Sequence, residues 1–150
     1  MSASSLLRTI ATLGFIGYLP FAPGTFGSLV AMVFFVIVKP SPTVHALLVV
    51  AITLAGTIAS HHAEKLLKEK DSRHIIIDEF AGYALSVIFL PAALPYFIAA
   101  FLLFRFFDIL KPPPIRWIER ILPGGIAVMA DDLMAGIYTN ALLQIWIRLA

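Results

Sequence analysis

Five of the nine acidic residues, Asp78, Glu79, Asp108, Asp131 and Asp132, lie directly against apolar sequence that reads as helix. A carboxylate at bilayer depth costs about 2.5–3.5 kcal/mol on insertion scales, so such residues are rarely idle. Carboxylates drawn from three helix ends make a hard oxygen site suited to Mg²⁺ or Mn²⁺. The plainer reading makes them interfacial caps and helix-dipole partners, and for Asp78 or Asp131 alone it is slightly favoured. Two adjacent acidic pairs plus Asp108, all on one face, weigh against it. Neighbours on a helix point about 100° apart, so one acid of each pair can be structural.

The stretch Phe104 to Pro114 puts Arg105, Asp108 and Lys111 at successive i,i+3 positions on one side of a helix. Pro112 forces Lys111 out of α geometry and stops that helix. An acid between two bases suggests a polar site at a membrane surface. An intrahelical salt bridge beside an arginine reaching for water accounts for it equally well. Pro23 to Ser28, with two glycines, Thr25 and Ser28, could bind an anion at a helix start, but taken alone the pattern fits an ordinary helix start better. His61 and Glu64 share a face, and interfacial histidines explain them more simply than a metal.

Positioning these groups requires a set of apolar helices. Of 150 residues 60% are hydrophobic and 13% charged, and mean hydropathy is +0.93. Soluble domains carry about 25% charged residues, so a membrane protein of one domain, residues 1–150, is expected. The net charge of +2 does not argue for nucleic acid, and the absence of cysteine excludes thiolate metal sites and cysteine phosphatases. Lys65, Lys68, Lys70 and Arg73, and the group Arg105, Lys111, Arg116 and Arg120, should mark the cytoplasmic side. The N-terminal apolar run lacks a small-x-small cleavage site and is read as retained.

The chain then divides at its prolines and glycines. A short or re-entrant helix is expected over Ile10 to Phe21, and a helix capped by Thr25 runs through Val38. Others are expected from Val44 to Glu64, Asp78 to Leu90, Tyr96 to Lys111, Ile115 to Ile121, and Ala130 to Leu149. The fold class is all-α, a compact multi-helix integral membrane domain with its motifs gathered at one membrane face. Hairpin connectivity brings Asp78 and Glu79, which open one helix, beside Arg105, Asp108 and Lys111, which close the next. Several helices read shorter than the roughly 20 residues of a full span, so the number of spans stays open.

Four segments in order resemble the phosphatidylglycerophosphatase A family: Gly17-x-x-Pro20-x-x-Pro23-Gly24-Thr25-x-Gly27-Ser28; Asp78-Glu79-x-x-Gly82; Phe104-Arg105-x-x-Asp108-x-x-Lys111-Pro112-x-Pro114-Ile115-Arg116; and Gly124-Gly125 followed by Met129-x-Asp131-Asp132-x-x-Ala135-Gly136. Each is modestly specific, and the ordered set is highly so. The resemblance implies a bacterial inner-membrane, Mg²⁺-dependent lipid phosphatase that converts phosphatidylglycerophosphate to phosphatidylglycerol and phosphate, facing the cytoplasm. On that reading Asp78, Glu79, Asp108, Asp131 and Asp132 are the pool of Mg²⁺ ligands and water activators. Asp78, Asp108, Lys111 and Asp132 carry catalysis. Arg105 and Lys111 hold phosphate, Arg116 meets the second phosphate, and Thr25 and Ser28 are second-rank contacts. A metal-bound water attacking phosphorus in line is the economical route, with an aspartyl-phosphate at Asp108 as the alternative. A small cation carrier would need acids spread through the membrane depth, whereas these gather at helix ends. A lipid phosphotransferase is a further alternative.

Overall fold

The computed structural model describes residues 2–69 and 72–150, so Lys70 of the first basic cluster lies outside the described residues. Among the described residues the fold is all-α, with seven α-helices and one short 3₁₀ turn.

Helix α1 spans Ala3–Ala11, where Ser2 Oγ accepts the Ser5 N–H at 3.2 Å as its N-cap. The helix expected over Ile10 to Phe21 is replaced by a turn and the 3₁₀ segment Ile16–Tyr18. Left-handed backbone at Leu13 and Gly14 (φ 46° and 73°) breaks the helix there. Helix α2, Pro23–Val38, begins two residues before the expected Thr25 cap. Proline suits the first helical position because it has no N–H to leave unpaired.

Helix α3 runs Pro42–Leu67, beyond the expected Val44 to Glu64 at both ends. Helix α4, Ile77–Ser86, stops four residues short of the expected Leu90. Its end is held from a later helix: Asn140 Nδ2 donates to Ser86 O at 3.0 Å and, just beyond the helix, to Ile88 O at 2.7 Å. Helix α5 is Leu94–Leu110, followed by Lys111 at φ 47°, and α6 is Ile115–Ile121 as expected. Helix α7, Gly124–Leu149, begins six residues before the expected Ala130. Asp131 and Asp132 therefore sit about two turns inside it and do not open it. The glycine pair Gly124-Gly125 allows close docking, since a Cβ on Gly125 would stand 2.5 Å from His61 N on α3.

Helix α4 is the buried centre and packs most extensively on α7, with α2, α3 and α5 around it. The α4–α7 approach is backbone to backbone. A Cβ on Gly136 would overlap Gly82 O, and one on Gly82 would meet Asp132 O at 2.6 Å. One core cluster gathers Phe35, Tyr83, Phe97, Phe104 and Ile115, and a second gathers Ala59, Ile75, Ile77, Val128 and Met129. Polar ties cross the core. His45 Nε2 lies 2.8 Å from Ala84 O with its ring stacked on Phe35, and Tyr83 donates to Phe97 O at 2.9 Å. Among the described residues two helices, α3 and α7, are long and apolar enough to cross a membrane.

Candidate active site

The loop before α4 is fastened first. Ile76 is fully buried and its N–H donates to Ala11 O at 2.9 Å, while His74 Nδ1 lies 2.8 Å from Gly17 O and its ring stacks on Tyr18. This holds Asp78 and Glu79 in the first turn of α4, where carboxylates suit the positive helix end. The close α4–α7 packing brings Asp132 to the same place. Ligand atoms of Asp78, Glu79 and Asp132 all lie within 4.8 Å of one another.

The first turn of α2 forms the adjacent wall. A Cβ on Gly24 would overlap Glu79 Oε1, and one on Gly27 would stand 2.9 Å from Ile76 O. Glycine here lets the N-terminal end of α2 meet the Glu79 carboxylate directly. The expected anion nest is largely used internally, because Pro23 has no N–H and the Thr25 and Phe26 N–H groups donate to Ala22 O. Thr25 is half-buried in this turn. Ser28 is fully enclosed, and its hydroxyl contacts Gly24 O and Thr25 O, each at 3.1 Å.

From α5, Arg105 Nη1 donates to Asp108 Oδ2, the i,i+3 pair that the sequence spacing allowed. The pair also faces the carboxylates: Asp108 lies within electrostatic reach of Asp132 and Glu79, and Arg105 of Glu79. Lys111 turns the other way. Its Nζ donates to Asp131 Oδ2 at 2.6 Å and pairs with Glu119 Oε2 at 3.1 Å. Burial works against its charge, yet the Asp131 hydrogen bond and then Glu119 hold its ammonium above the ordinary lysine value. Asp131 Oδ1 also accepts the Asp132 N–H at 3.1 Å. Tyr138 donates to Pro113 O at 2.9 Å, fixing the proline turn that aims Lys111.

Arg116 stands apart on α6, exposed, with Nη2 donating to Leu110 O at 3.3 Å. Glu119, given no role from sequence, is the residue that ties Lys111 to α6. The signal was faint, because only the fold of the proline turn brings positions 111 and 119 together. His61 and Glu64 are not part of the carboxylate group, which among the described residues is the one cluster able to hold a metal.

The donor set fits a hard divalent cation. All three groups offer oxygen, and Asp78 Oδ1, Glu79 Oε2 and Asp132 Oδ2 are each buried without a hydrogen-bond partner. Such orphaned acceptors are costly unless a cation satisfies them.

The sequence model for "Phosphatidylglycerophosphatase A" matches residues 9–147. The chain belongs to the phosphatidylglycerophosphatase A family. It is 35% identical over 129 residues to the phosphatidylglycerophosphatase A of Escherichia coli, covering 85% of this chain and 75% of that protein. The Haemophilus influenzae phosphatidylglycerophosphatase A is 36% identical over 121 residues, covering 78% and 74%. A Bacteroides thetaiotaomicron protein named as a putative phosphatidylinositol-3-phosphatase is 37% identical over 155 residues, covering 97% and 96%. No solved structure matches. The phosphatidylglycerophosphatase A resemblance drawn from four segments thus extends across nearly the whole chain. Those segments contribute Gly24, the Asp78/Glu79 pair and Asp132 to one place in the fold, with Asp108 within electrostatic reach.

Proposed function

We propose that this chain is a Mg²⁺-dependent phosphatase of one membrane-embedded domain, residues 1–150, that removes the terminal phosphate of phosphatidylglycerophosphate. The observation that carries the reading is the trio of buried Asp78 and Asp132 with half-buried Glu79, each with one buried, unpartnered oxygen. These three would hold the cation. Bound there, Mg²⁺ supplies charge that neutralises phosphoryl oxygens as negative charge builds in the transition state.

The chain's own residues supply the rest. Arg105 orients Asp108 beside the trio, so its guanidinium and that carboxylate face the reacting phosphate together. Lys111, kept charged and aimed by Asp131 and Glu119, adds a fixed cation at the edge of the site. Arg116 lies farther out and would meet the phosphodiester. Thr25, in the half-buried first turn of α2, remains a second-rank contact, and Ser28 supports that turn through its two carbonyl partners.

A lipid substrate requires an apolar body. On α3, Leu47, Val50, Leu54 and Ile58 form an exposed stripe at helical spacing, and Trp117 and Trp146 are exposed as interface anchors. A multi-pass domain in the bacterial inner membrane, with the site on the cytoplasmic face, accommodates both features. The test is phosphate release by the purified chain from phosphatidylglycerophosphate, with Mg²⁺ and with EDTA. Release that survives EDTA, or no release from this lipid, overturns the reading. The 97% coverage of the match to the Bacteroides protein favours a second substrate, a phosphorylated inositol lipid, to be assayed alongside.

A further inference from the structure

Between the C-terminal end of α3, helix α6 and the first turns of α7 lies an open cavity of about 590 Å³, lined by Glu64, Arg116, Glu119, Arg120, Ala127 and Asp131. Small-ligand sites occupy roughly 300–1,000 Å³. The cavity holds none of the metal-binding trio, yet it adjoins it. Asp131 lines the cavity while its Oδ1 accepts the Asp132 N–H, and Lys111 is paired with two of the lining carboxylates.

We propose that this cavity seats a phosphorylated polyol, the hydroxylated part of a headgroup together with its second phosphate. Its mixed charge suits that chemistry. Arg116 and Arg120, exposed at the mouth, offer guanidinium donors to phosphate oxygens. Glu64, Glu119 and Asp131 offer acceptors that hydroxyls satisfy and that a bare anion would meet with repulsion. An acyl chain would desolvate every one of these charges without replacing their partners.

The wall is kept clear at Gly124, where φ is 52° and a Cβ would stand 3.0 Å from His61 Nδ1 and 3.2 Å from Glu64 Oε2. Ala127, buried and small, lines the same cavity, whose volume of about 590 Å³ leaves room for a polyol. The orientation of the ligand, with its reacting phosphate toward Asp132, rests on the phosphatase reading. Occupancy of the cavity does not.

The chain has no cysteine, so Ala127→Cys places a single thiol at the cavity floor. Its labelling by a small methanethiosulfonate in detergent should slow about tenfold with saturating glycerol 1,3-bisphosphate or an inositol bisphosphate, and less than about twofold with inorganic phosphate. Equal protection by inorganic phosphate, or no protection, overturns the proposal. Arg120→Gln, on the exposed rim, tests it without touching the floor. Its kcat/KM on phosphatidylglycerophosphate relative to phosphatidate, a lipid monophosphate with no polyol, should fall about tenfold. An unchanged ratio overturns the assignment. Protection in a chain that releases no phosphate would refute the phosphatase reading and leave the polyol site standing. An active enzyme without protection would refute the polyol site alone.

Discussion

Lys111 Nζ stands 2.6 Å from Asp131 Oδ2, while Asp132, the next residue along α7, turns its carboxylate to Asp78 and Glu79. Successive helix residues project about 100° apart, so the two adjacent acids face different partners. Asp131 holds the lysine that closes α5. Asp132 joins the Asp78 and Glu79 carboxylates, a group compatible with a cation.

The division predicts unequal effects of matched substitutions. Asp132→Asn should raise the Mg²⁺ concentration for half-maximal phosphate release at least about tenfold, whereas Asp131→Asn should move it less than about threefold. A Mg²⁺ titration of each purified variant gives the comparison. The reverse ranking would assign Asp131 to the metal and Asp132 to structure.

Three carboxylates with oxygens within 4.8 Å of one another repel when no cation is shared between them. Asp78→Asn should therefore stabilise the chain in EDTA, and a gain of about 1 kcal/mol would raise Tm by roughly 2–4 °C. The same variant should lose the rise in Tm that Mg²⁺ gives the native chain. A variant less stable in EDTA, with the Mg²⁺ response intact, would separate Asp78 from the metal site.

Gly24 and Gly14 make a contrasting pair. Alanine at 24 gains helix propensity of about 1 kcal/mol, but its Cβ occupies the space of Glu79 Oε1. Gly24→Ala should keep or raise Tm while cutting activity about tenfold through the displaced carboxylate. Alanine at 14 meets nothing within 4 Å, but φ is 73° there, so Gly14→Ala should cost about 1 kcal/mol of stability with kcat/KM unchanged. Thermal melts and assays of both variants decide it. Equal effects on activity would remove Gly24 from the site.

Single cysteines can fix the orientation. Thr43, exposed in the first turn of α3, and Arg73, exposed beyond its far end, should label from opposite sides of intact cells. Ser72 is unsuitable because it is buried and donates to Glu69 Oε2 at 2.7 Å. Labelling from one side only would contradict a spanning α3.

The sequence by itself determined the helical class and the family, because each is written in local signals. Apolar runs between proline stops marked the later helices, and the bounds of α6 follow directly from Pro114 and Pro123, whereas α1 ends before left-handed Leu13 and Gly14 without a proline. A carboxylate against apolar sequence is expensive wherever it sits, so Asp78, Glu79, Asp108, Asp131 and Asp132 stood out before any contact was known. Only the tertiary structure decided how those acids divide. Asp131 and Asp132 lie two turns inside α7 because paired glycines let that helix begin early against α3, a close approach with no local signature. Which of two adjacent side chains meets Lys111 depends on the rotation of α7 against α4, set by the contact of Gly82 with Gly136. Pairing between Lys111 and Glu119 depends on a proline turn held by Tyr138 from another helix. Ser28, legible as a phosphate contact from its motif, is enclosed because its hydroxyl finds two carbonyls within its own turn. Residue types and local spacing carry cost and propensity, while partner choice is fixed only when separate helices pack.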